Sequence, residues 1–149
     1  MIACSGIAGA YLLNSSAKRA LTQAEALISW ARYLRSEIEC FSMPLPLALS
    51  RCPTEIYEKC GYVSDGIPAD IGEFIKKCRI SDGETFRQLS RFGDDIGKGY
   101  RDEQLALCDY FIEAMELRRR QLSEQLPARK KLNSALWLSG ALALVILLI

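Results

Sequence analysis

A chain of 149 residues with a formal net charge of +1 has room for one modest domain and lacks the basic field of a nucleic-acid binder. It contains no histidine, which removes the commonest general base and with it Ser-His and Cys-His nucleophile pairs and histidine-containing zinc sites. Much of its apolar content lies at the two ends, so the middle reads as an ordinary soluble domain.

Residues 1–17 carry no charge and include the apolar run from Ile2 to Leu13. The run resembles the core of a signal peptide, but no positive region precedes it and Lys18-Arg19 follow it. It predicts a short transmembrane helix with its C-terminal end inside, and Gly6, Ala8, Gly9 and Ala10 permit close helix contact in lipid. Such a span is short by bilayer standards, which implies an upstream start or partner helices that complete the anchor.

From residue 18 the apolar side chains Ala24, Leu27, Ala31, Leu34, Ile38 and Phe41 fall at alternating steps of three and four, the seam of a long helix packed on another. Arg32, Arg35, Glu37 and Glu39 lie off that seam. Pro44 and Pro46 end the helix, and a short helix is expected over 47–52. Pro53-Thr54-Glu55 opens another to Cys60, which Gly61 terminates. A third is expected over 67–78, started by Asp65 or Pro68, with Ile71, Phe74, Ile75 and Cys78 on one face.

After a turn at Ser81-Asp82-Gly83, a helix over 84–92 bears Phe86, Leu89 and Phe92, and Gly93, Gly97 and Gly99 break the segment around Ile96. A second long helix over 100–129 carries Leu105, Cys108, Ile112, Met115, Leu122 and Leu126, with Arg119 in the same register. Pro127 is predicted to kink it or end it. No stretch alternates as strands do.

Residues 132–149 again carry no charge and end in a run that is apolar on every face, including Leu144, Val145, Ile146 and Leu147. As a helix they would span roughly 27 Å, close to the hydrocarbon thickness of a bilayer. Arg129, Lys130 and Lys131 precede them and Trp137 stands at interfacial depth, which makes the tail a membrane anchor with the preceding domain inside. The expected fold is therefore all-α: an antiparallel bundle of about six helices over 18–131, flanked by transmembrane helices at 1–17 and 132–149.

Cys4, Cys40, Cys52, Cys60, Cys78 and Cys108 include no CxxC pair, and basic flanks that put the domain in the cytoplasm predict reduced thiols serving as small core residues. The glycines of Phe92 to Gly99 lack the spacing of a phosphate loop and follow a helix instead of a strand. Asp94 with Asp95, or Glu37 with Glu39, point in different directions on a helix and do not converge on one substrate atom. Leu117-Arg118-Arg119-Arg120 reads as an exposed helix face. No catalytic residue, metal site, cofactor or small-molecule substrate is expected.

The order of these features carries a resemblance. A short N-terminal span precedes Lys18-Arg19; Leu34-Arg35-Ser36-Glu37-Ile38 precede Pro44-Leu45-Pro46-Leu47-Ala48-Leu49; Phe92-Gly93 to Gly97 are followed by Asp102 and Gln104; Lys131-Leu132 lead into the apolar tail. In this the chain resembles the stage III sporulation protein AB family, membrane proteins of endospore-forming bacteria. Their helical domain is similar to that of the F protein, the inner-membrane platform protein of type II secretion systems.

The resemblance implies a non-enzymatic platform in a channel complex linking mother cell and forespore. It would sit in the outer forespore membrane with its domain facing the mother-cell cytoplasm. The implied partners are a cytoplasmic sporulation ATPase, other membrane subunits of the channel and the lipid bilayer. Candidate contact residues are Arg35, Glu37, Asp94, Asp95, Asp102 and Gln104. The competing expectation is a membrane-anchored adaptor that binds a single cytoplasmic partner.

Overall fold

Apolar residues repeating at three and four on both sides of the chain's middle give two long helices, each with a stripe that only another helix can cover. The computed structural model describes the backbone of residues 3–148 and the side chains of residues 15–126. These helices are α1 (Ala3–Phe41) and α6 (Arg101–Leu148), with α2 (Leu45–Arg51), α3 (Thr54–Cys60), α4 (Ile71–Lys77) and α5 (Gly83–Asp95) between them. No strand occurs among the described residues; a single isolated bridge joins Tyr62 to Cys78.

The long helices run antiparallel: Arg32 meets Glu116 and Arg35 meets Asp109, so numbers rise along one as they fall along the other. Ala24, Leu27, Ala31, Leu34 and Ile38 are buried as the seam predicts, as are Cys108, Met115 and Leu122 opposite. Phe41, expected in the seam, is 66% exposed. α6 begins only at Arg101, whose guanidinium already reaches back to Glu39 O on α1, so α6 has no earlier turn with which to cover Phe41.

Trp30, fully buried, sits at the centre of the aromatic packing. Its ring lies 4.7 Å from Phe74 of α4 and 5.9 Å from Phe92 of α5; Phe92 in turn stacks on Phe111 of α6 at 4.5 Å, and Tyr57 of α3 meets Phe74 at 5.3 Å. Such pairs add about 1 kcal/mol each beyond simple burial and tie five helices together. Tyr33 and Tyr57 hold α2 by donating hydroxyl bonds to the carbonyls of Ala48 and Leu49.

The short helices depart from expectation at their ends. α2 begins at Leu45, with Pro46 in its first turn, where a missing N–H costs nothing. α4 begins only at Ile71, not at Asp65 or Pro68. Asp70 caps it by accepting from Glu73 N at 2.7 Å, and Glu73 Oε2 returns the bond by accepting from Ala69 N at 2.7 Å. α5 passes straight through Gly93, because this glycine gives Ile75 of α4 the space a Cβ would occupy. α6 likewise continues through Pro127, which does not end it.

Between α3 and α5, the chain is held to α1 by Gln23. This buried amide donates to Arg79 O at 2.7 Å and accepts from Ser81 N at 2.9 Å, serving the loop as a strand partner would. Gly61 closes α3 with a φ of 94°.

Cys52, Cys60, Cys78 and Cys108 are free thiols in the core, and Cys40 is free and exposed. Burial pushes Cys52 and Cys108 up to about 11 and Cys78 to about 12, and raises Cys60 well above its usual value. Cys4 lies outside the described side chains. Among the described residues no helix is long and apolar enough to cross a membrane. Most of the span expected over 1–17, and all of that over 132–149 with Trp137, Leu144, Val145, Ile146 and Leu147, lie outside the described side chains.

Candidate partner interface

The antiparallel pairing gathers the α1 C-terminus, the α5 C-terminus and the α6 N-terminus at one end of the bundle, opposite to the end from which the chain termini extend. α6 starts there with its own cap: Glu103 accepts from Tyr100 N at 3.0 Å, Gln104 donates to Gly99 O at 2.9 Å and Arg101 donates to Glu39 O at 2.6 Å. Gly97 has a φ of 86°, and a Cβ there would press on Leu45 at 3.2 Å. A groove of about 300 Å³ results, bordered by Ile38, Met43, Leu45, Gly97, Arg101 and Gln104.

The six residues implicated by resemblance are distributed over this end of the bundle. Gln104 borders the groove, while Asp94, Asp95 and Asp102 are exposed on either side of the 96–100 connection. Asp102 has a weak ion pair with Arg101 at 3.5 Å. Glu37 is half-buried on the α2 side, where its charge adds to burial in raising the Tyr33 hydroxyl. Arg35 is committed within the bundle: it donates to Asp109 at 2.6 Å and also to Glu39, and these hydrogen bonds raise its pKa further.

Arg35, with the Arg32–Glu116 pair at 2.6 Å, stitches α1 to α6 along an exposed edge. Exposed pairs of this kind are screened by solvent and contribute little net stability, so they set the register of the two helices more than their stability.

Arg118 overturns the expectation of a simple exposed basic face. Its guanidinium makes two bonds to Asp82, Nε to Oδ2 at 2.9 Å and Nη2 to Oδ1 at 2.7 Å, so Arg118 is half-buried while Leu117, Arg119 and Arg120 of the run are exposed. The Arg118 guanidinium, joined by the Thr85 N–H and hydroxyl, holds the Asp82 carboxyl at about 2. No local pattern announces this pair, because its members stand 36 residues apart. Arg101, which ties the α6 N-terminus to Glu39, was missed for the same reason.

The 92–99 segment is the last turn of α5 and a tight connection, with Ile96 N donating to Phe92 O at 2.9 Å. The exposed carboxylates around it face solvent separately. Among the described residues, no group of three or more cysteines and carboxylates is disposed to hold a metal ion.

A family model described as stage III sporulation protein AB matches residues 63–149, from the segment after α3 to the end of the chain. No curated protein and no solved structure matches. The matched stretch contains Asp94, Asp95, Asp102 and Gln104. The Leu34 to Ile38 and Pro44 to Leu49 motifs lie before it.

Proposed function

The chain belongs to the stage III sporulation protein AB family, and from that membership we propose that it is a non-enzymatic platform in a secretion-like channel complex between mother cell and forespore. In this role it couples a cytoplasmic ATPase to membrane subunits from the outer forespore membrane, with the bundle facing the mother-cell cytoplasm. Its work is mechanical.

One observation carries the proposal: α1 and α6 form an antiparallel bar locked at several levels by cross-helix bonds, and both helices continue toward the apolar ends of the chain. A push received at the α5–α6 connection is thereby delivered along two helices at once, since packed helices move as rigid bodies. The polar end carries Asp94, Asp95 and Asp102 for the ATPase, and the apolar ends supply the membrane contacts.

The test is affinity capture of the tagged full chain from detergent-solubilised membranes of sporulating cells, with bound proteins identified by mass spectrometry. Recovery of a sporulation ATPase, lost in an Asp95→Lys, Asp102→Lys variant whose circular dichroism is unchanged, supports the platform. Recovery of one unrelated signalling protein and no channel subunit would replace it with a single-partner adaptor.

A further inference from the structure

Besides the seam packed on α1, α6 carries a second stripe at the same spacing. Leu107, Tyr110, Ala114 and Leu117 follow at steps of three, four and three, and Tyr110 is 67% and Leu117 57% exposed. α5 runs alongside, and the two helices frame an open groove of about 800 Å³, in which Tyr110, Ala114 and Leu117 lie beside Glu84 and Gln88. The groove extends past Leu107 toward Asp95 in a smaller cleft of about 120 Å³. An apolar helical stripe beside a second helix is the receiving half of helix-in-groove recognition. Ala114, small and central, leaves room for an incoming backbone.

The charges around the groove indicate what fits it. Arg118, the cation of the main groove, is already engaged by Asp82. Glu113, by contrast, makes no ion pair among the described residues, whereas Glu84 pairs with Arg87 at 2.9 Å and accepts from Gln88 Nε2 at 3.1 Å. Arg91 and Asp95 in the smaller cleft oppose one another in sign, which leaves Glu113 as the charge of the main groove without an ion pair among the described residues. A second copy of the chain would bring to the groove the same stripe beside an Arg118 already occupied.

We propose that the α5–α6 groove receives an amphipathic helix of a partner protein, with apolar residues three and four apart on the Tyr110–Leu117 stripe and a lysine or arginine meeting Glu113. From Leu107 to Leu117 the stripe is about 15 Å long, so the occupant needs about three helical turns. This groove is separate from the one at Gln104, and the proposal stands or falls independently of the platform role.

The probe is a fluorescent amphipathic peptide with leucines at a three-four repeat and lysine flanks, titrated against the purified full chain and compared with the same peptide bearing glutamate flanks. The lysine peptide should bind at least tenfold more tightly. Leu117→Ser, at an exposed position, should weaken it at least tenfold, and Glu113→Lys should reverse the preference between the peptides. Equal binding of both peptides, or binding unaffected by Leu117→Ser, overturns the proposal. Efficient oxidative crosslinking of an Ala114→Cys variant to itself without peptide overturns it too, assigning the groove to a second copy.

Discussion

Asp82 and Arg118 meet through two hydrogen bonds, at 2.9 and 2.7 Å, while the same carboxylate caps α5 by accepting from Thr85 N at 2.9 Å and the Thr85 hydroxyl at 2.7 Å. One side chain therefore starts α5 and fastens it to α6. Arg118 is the chief cause of the lowered Asp82 pKa, Thr85 contributes, and partial burial opposes them.

Asp82→Ala should destabilise the bundle by roughly 2 kcal/mol, combining a lost cap with a broken, partly buried ion pair. Denaturant unfolding checks this. Because the folded pKa of about 2 lies below the ordinary value of 3.8, the pair's stabilisation is complete above about pH 4 and is lost as pH falls through about 2. In Asp82→Asn that acid-side slope should diminish.

Trp30→Ala should cost about 4 kcal/mol, since it empties the position where Phe74 and Phe92 meet. Trp30→Phe should cost clearly less. It keeps a ring there and removes an indole N–H that is buried without a hydrogen-bond partner among the described residues. Thermal unfolding followed by circular dichroism separates the two.

Gly61→Ala should destabilise by more than about 1 kcal/mol. The residue has a φ of 94°, and its new Cβ would strike Gln23 Nε2 and lie 2.9 Å from Arg79 O, the two atoms of one hydrogen bond. Urea unfolding should show a lower midpoint with little change in slope.

In a Cys4→Ser variant, only Cys40 should react rapidly with a thiol reagent at pH 8. Cys52, Cys60, Cys78 and Cys108 are buried and resist ionisation. Ellman kinetics should show one fast thiol and four released only on unfolding. Cys40 is accordingly the side chain to probe with an impermeant reagent in intact cells, and failure to label it there is what a cytoplasmic bundle predicts.

The paired long helices were legible because a three-four repeat has one physical meaning over many turns. The start of α4 was legible too: Asp70 and Glu73 form a capping box, but Asp65, Gly66 and Pro68 supplied nearer turn signals that drew the boundary too early. Gly93 read as a breaker since the contact that makes it useful, with Ile75, belongs to another helix. Arg118 read as solvated because its partner lies on α5, and Phe111 escaped because it falls beside the Cys108–Met115 seam. Of the interface candidates, Asp94, Asp95 and Asp102 are exposed, whereas Gln104 is half-buried and bonded to Gly99 O, and Arg35 is engaged by Asp109 and Glu39.

The partner that covers Leu27, Leu34 and Ile38 begins only at Arg101, some 60 residues further along the chain. During synthesis at roughly 5–20 residues per second, the apolar face of α1 thus waits several seconds for α6 to emerge. α1, translated well before α6, is among the last helices to be covered, which makes the nascent chain a client for whatever shields apolar helices at the ribosome exit.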